Sequence, residues 1–146
     1  MKIGQLFLLV MVLVGSTSAM AADRGTRDEA KALAEKAAAY YRTVGATALT
    51  DFEKPEWRDR DLYVFAVKTD GTQVANGGNP ALIGRNVIDM RDVDGKLTNR
   101  EMLAVKETGW VEYKWRNPST NSVEPKATYV VRVSDDTIVA VGAYNP

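Results

Sequence analysis

The sequence predicts an α+β fold: a five-stranded antiparallel sheet with one long helix on one face and short helices and loops on the other. Three observations carry this. Leu62–Lys68 (LYVFAVK) and Thr137–Tyr144 (TIVAVGAY) are apolar at both odd and even positions, as in strands covered on both faces. Residues 109–133 read as a long hairpin: an aromatic strand (Trp110, Tyr113, Trp115), a turn rich in Asn, Pro, Ser and Thr, and a β-branched return strand (Thr128, Tyr129, Val130, Val131). Thr26-Arg27-Asp28-Glu29 has the form of a capping box ahead of an apolar stripe at helical spacing.

The chain begins with a leader. Lys2, the apolar run over residues 6–14 and Ala19-Met20-Ala21 are the three parts of a secretory signal peptide cut after Ala21. The run is shorter than the about 20 residues a membrane span needs, and no cysteine stands there for lipid attachment. Residues 22–146 are expected to form one domain, periplasmic and not inserted in the membrane. Loss of Lys2 from a precursor of zero formal charge leaves about −1, with no block of like charge, so nucleic acid is not an expected partner.

The first helix carries Ala30, Leu33, Ala34, Ala37, Tyr40, Tyr41 and Val44, and Gly45 supplies its stop. A short second helix is expected over residues 46–52, and Trp57 is expected to cover the core. Thr69-Asp70-Gly71-Thr72 turns the chain into a short strand over residues 73–76. Residues 77–97 are rich in Gly, Asn-Pro and Asp-Gly turn signals and form the irregular layer. A second capping box, Thr98-Asn99-Arg100-Glu101, is expected to open a helix that stops at Gly109. A space between this layer and the sheet is the natural pocket.

The chain has neither histidine nor cysteine, which excludes an imidazole base, a His-dependent triad and a thiolate nucleophile. No metal or cofactor is expected. Counted from Met90, Asp92, Asp94, Gly95 and Glu101 fall on calcium-loop positions, but methionine offers no oxygen at the first one. An Asp-Gly turn ahead of a helix explains the same residues.

Lys126 stands out in an otherwise apolar strand. If Arg116 sits opposite Val123, Tyr113 faces Lys126 with Trp115 and Thr128 on the same side, and Ala127, Tyr129, Val131 and Val133 face the first helix. A slip by one residue pairs Lys126 with Glu112 as an exposed ion pair instead. Pro125 allows a bulge, so both registers stay open. An ammonium beside tyrosine hydroxyls and indole walls suits a small carboxylate. Arg100 is a candidate second clamp, with a solvated helix face as its alternative.

The order YVFAVKTDGT, NPALIGRNVIDMRDVDG, GWVEYKW with NP, VEPKATYV and a closing VGAY resembles the single Cache domain (type 2-like) of bacterial extracytoplasmic sensors, over about residues 27–144. The resemblance implies a PAS-like sheet and a pocket for small molecules, often short carboxylates. Tyr113, Trp115, Lys126 and Tyr129 match its signature positions. Asn76 stands with Gly77-Gly78 where such domains often carry His-Pro, and joins the candidate ligand-binding set. The flanking membrane helices and cytoplasmic module of a receptor are missing, so a membrane sensor or transporter is the expected partner. The leading expectation is a periplasmic sensory module that binds a small organic acid without turnover. The alternatives are an interaction module with a vestigial pocket, docking through its helix or sheet edge, and an enzyme using Lys126 as an amine nucleophile.

Overall fold

The computed structural model describes residues 23–144 and 146, so the leader expected over residues 1–21 lies outside the described residues. In chain order the elements are α1 (Arg27–Val44), α2 (Thr47–Asp51), β1 (Arg58–Asp59), β2 (Leu62–Lys68), β3 (Gln73–Asn76), α3 (Thr98–Leu103), β4 (Thr108–Asn117), β5 (Ser122–Ser134) and β6 (Thr137–Tyr144). Single 3-10 turns lie at Pro55–Trp57 and Pro80–Leu82.

The five expected strands pair antiparallel in the order β3-β2-β6-β5-β4, and the two-residue β1 adds to the β2 edge beside β3. The last strand is thus the centre of the sheet, with β2 at its side, which is why both are apolar on both parities. Val64, Val139, Val141 and Ala143 face α1; Tyr63, Phe65, Val67, Ile138, Ala140 and Tyr144 face the irregular layer.

Helix α1 is started by the expected capping box, Thr26 and Glu29 each accepting the other's backbone N–H. Its buried stripe is all alanine (Ala30, Ala34, Ala37 and Ala38), which lets the helix axis come close to the sheet. Trp57 is a packed part of this core, its ring centroid 5.0 Å from Phe52 and 5.1 Å from Tyr40.

The second capping box is not formed. Leu97 is the N-cap of α3 and makes no side-chain cap bond; Thr98 is the first helical residue, buried against the sheet. Glu101 pairs with Lys96 instead. The helix also ends at Leu103, before Gly109, because Arg132 of β5 reaches over to hydrogen-bond the Leu103 and Val105 carbonyls. Gly109 lies in β4, opposite Val130.

One polar cluster ties three distant segments together. Asp61, 3% exposed, accepts from the Gly25 N–H at 2.8 Å and from Asn117 Nδ2 at 3.1 Å. Glu124 accepts from Arg24, Asn117 and Thr120. The chain leading into α1 is thereby clamped to the β1–β2 turn and to the tip of the β4–β5 hairpin. Truncation by Asp61→Ala takes the acceptor from the buried Gly25 N–H and one of two acceptors from Asn117 Nδ2, and a loss of about 2–3 kcal/mol in urea unfolding is expected. The Arg24 guanidinium, with Thr120 and Asn117, holds the Glu124 carboxyl below the usual glutamate range against its burial. Its contribution is complete above the unfolded value of about 4.3 and fades as pH falls through the depressed folded value. Glu124→Gln should therefore flatten the acid side of the Tm–pH curve.

Candidate functional site

The hairpin adopts the register that puts Arg116 opposite Val123 and Tyr113 opposite Lys126. Lys126 and Thr128 then lie on the face towards residues 77–108, while Tyr129 lies on the other face. A bulge completes the wall. Asn76 pairs with Phe65 and Gln73 with Val67, with the register shifting between them. Residues three apart in a strand would face opposite ways; the extra residue brings both Gln73 and Asn76 to the Lys126 side.

Between these strands and the layer above lies a cavity of about 20 Å³ for the centre of a water molecule, room for about one water. Its floor is Tyr63, Phe65, Tyr113 and Lys126, its polar edge Gln73, Asn76, Thr98 and Asn99, and its cover Leu82, Met90, Met102 and Trp115. Lys126 is the one charged side chain among these.

Lys126 is 2% exposed. Its ammonium donates to Tyr63 Oη at 2.8 Å and sits over four rings, 4.3 Å from the centroid of Tyr63, 4.7 Å from Tyr144, 5.3 Å from Phe65 and 6.0 Å from Tyr113. Among the described residues no carboxylate pairs with it. The direction of the hydrogen bonds follows from the last acceptor. Tyr144 Oη donates to the Arg116 carbonyl (2.9 Å), which can only accept. Tyr144 must then accept from Tyr63 across 3.0 Å, and Tyr63 from Lys126. Both phenol protons are committed, so of the three tyrosines Tyr113, bonded to Thr128 Oγ1 at 2.9 Å, is the one with freedom to turn its proton.

Burial, the largest influence, pushes the Lys126 amine down; charge on the Tyr113, Tyr63 and Tyr144 oxygens, which requires ionised phenols, and the Tyr63 hydrogen bond push it up. Burial raises the Tyr113 and Tyr144 phenols, so they stay neutral at physiological pH. With the phenols neutral, the hydrogen bond to Tyr63 Oη and the four ring faces are what favour an ammonium here, the reverse of what an amine nucleophile requires. Ring faces offset part of its desolvation, yet a buried cation without an anion still costs several kcal/mol.

Of the six candidate residues, Lys126, Tyr113, Trp115 and Asn76 come together at the cavity. Tyr129 does not: it packs on the helix face, 5.0 Å from the Trp110 ring with Lys31 5.6 Å from its centroid. The hairpin register, with β-strand alternation, places it there. Arg100 does not reach the cavity either; it is exposed and paired with Asp89. Asn76 uses its side-chain oxygen to accept the Gly78 and Asn79 N–H groups, shaping the loop. Asp92, the calcium-loop residue, accepts the backbone N–H groups of Asp94, Lys96 and Lys114. Tyr63 and Tyr144 escaped sequence reasoning, although their even spacing from Phe65 and Ala140 could have placed them on this face. Gly78 lies flat on Tyr63; a Cβ there would be 2.5 Å from the ring.

The chain belongs to the single Cache domain 2 family, whose model matches residues 5–145. The sensor histidine kinase MctS of Rhizobium johnstonii is 30% identical over 88 residues, 58% of this chain and 19% of that protein, so the chain spans about a fifth of that relative. A methyl-accepting chemotaxis protein from Vibrio parahaemolyticus has the same fold at a TM-score of 0.71 and 21% identity, over 80% of this chain and 86% of that one. A Cache chemosensory domain solved for its recognition of carboxylic acid superposes at a TM-score of 0.68 and 20% identity, over 82% of this chain and 92% of that one. The protein is thus a single Cache domain, similar in sequence to a stretch of a sensor kinase and in fold to domains of chemotaxis proteins. Among the described residues no helix is long and apolar enough to cross a membrane.

Because the buried ammonium opposes folding, Lys126→Met should raise the stability of the unliganded protein by about 1–4 kcal/mol in urea unfolding.

Proposed function

We propose that this domain acts in the periplasm, after cleavage at Ala21, as a sensory module that binds a small monocarboxylate and hands its bound conformation to a membrane sensor or transporter. The observation that carries the reading is the Lys126 ammonium, closed off from water and with no carboxylate of its own among the described residues. An incoming anion supplies the missing countercharge: Lys126 has two N–H donors beyond the one on Tyr63, and Tyr113 can turn its hydroxyl towards the same anion. Phe65, Met90, Met102 and Trp115 provide an apolar wall for a short carbon chain.

The lining also limits the class. It holds a single cation and no Asp or Glu, so a second carboxylate or an amino group would be buried unpaired. The cavity admits about one water as it stands, so an acid enters by pushing the half-buried Leu82, Met90 and Trp115 outward.

Thermal unfolding with acetate, propionate, pyruvate, succinate and glycine tests this directly. Monocarboxylates should raise Tm, by about 2.7 kcal/mol of stabilisation at about 100 times Kd, and Lys126→Met should erase the effect. Equal shifts in the wild type and Lys126→Met would sink the reading. The small cavity favours a second reading, a docking module with a vestigial pocket; no response to any acid together with a stable oligomer would decide for it.

A further inference from the structure

We infer that Gly142 is a positioning residue for the Lys126 ammonium, its missing Cβ being the gap through which the lysine crosses the central strand. Strand order creates the need. Lys126 stands on β5 opposite Tyr144 of β6, yet its amine ends on Tyr63 of β2, on the far side of β6. The side chain must pass over β6, and the residue it passes is Gly142, which pairs with Thr128 and lies one step beyond the Val64–Val141 pair. A Cβ on Gly142 would lie 2.3 Å from Lys126 Cε, 3.0 Å from its Cγ and 2.3 Å from Thr128 Oγ1. Gly142 is not among the positive-φ residues, so space and not backbone conformation demands glycine here.

A methyl group at this point lifts the lysine off the sheet. The charge leaves the Tyr63 oxygen and moves into the space that the anion would occupy. Gly142 therefore sets both the depth of the cation and the room in front of it. Only the identity of the anion rests on the function proposed above; the path of the lysine stands on the geometry.

Three measurements on wild type, Gly142→Ala, Lys126→Ala and the double variant test the assignment. The first is NMR of the lysine amine, where the wild type should give a slowly exchanging Lys126 ammonium signal that Gly142→Ala shifts or abolishes. The second is the urea midpoint, which Gly142→Ala should lower clearly in the wild type and less in the Lys126→Ala background, where the two contacts with the lysine are gone and only that with Thr128 Oγ1 remains. The third is calorimetry with acetate, in which Gly142→Ala should weaken binding by about tenfold or more. Additive midpoints with an unmoved amine signal would overturn the inference. If Gly142→Ala does not fold, recovery of a folded protein on adding Lys126→Ala supports it, and no recovery counts against it. A wild type that ignores acetate, while signal and midpoints respond as expected, refutes the carboxylate reading and leaves the positioning role in place.

Discussion

A protonated amine closed away from water, with no carboxylate beside it among the described residues, is the constraint around which this domain is arranged. Desolvation works against the charge, and the fold answers with neutral groups: one phenol oxygen as acceptor and the faces of four aromatic rings. These hold the ammonium in place without neutralising it. A carboxylate from the protein would have stabilised the fold more and left nothing for a ligand to add. Folding stability is given up at this point, and the anion proposed as ligand would return it on binding.

The neutral groups are themselves held by the sheet. Tyr63, Lys126 and Tyr144 come from three adjacent strands, and the hydrogen-bond chain ends on a backbone carbonyl of a fourth, Arg116 of β4. Such a chain has one workable direction, so rotation of either tyrosine proton is suppressed. The Asp61–Asn117–Glu124–Arg24 cluster lies at the same end of the hairpin and fastens the entry to α1. The cavity face and the helix face of the sheet thus share the residues around Arg116 and Asn117.

The irregular layer is built differently. It carries little regular structure, and it is fixed by backbone turns and polar side chains: Asn76 Oδ1 accepts from the Gly78 and Asn79 amides, Asn99 Nδ2 donates to the Val87 carbonyl, and Asp92 accepts from three amides. Over the cavity its apolar contacts with the sheet include the flexible side chains of Met90 and Met102, which can change shape at low cost. That is a suitable cover for a cavity that would have to enlarge to admit the proposed ligand.

Local chemistry was enough to read much of the fold. The doubly apolar strands, the capping box at Thr26 and the hairpin turn depend on neighbours in sequence, and β2, β3 and β6 appear where the pattern put them. The same local logic failed at Thr98, where burial against the sheet and the Lys96–Glu101 pair outweighed a capping box, and at Gly109, where Arg132 ended the helix earlier. For Lys126 the sequence left two registers open, because parity in a strand beside Pro125 depends on whether a bulge forms. Pairing across β4, β5 and β6 decided it, and at the same time sent Tyr129 to the helix face. The bulge that turns Gln73 and Asn76 inward, the path of Lys126 over Gly142 and the Tyr63–Tyr144 link all join residues far apart in the chain. Such contacts exist only once the strands are aligned, so only the tertiary structure could determine them.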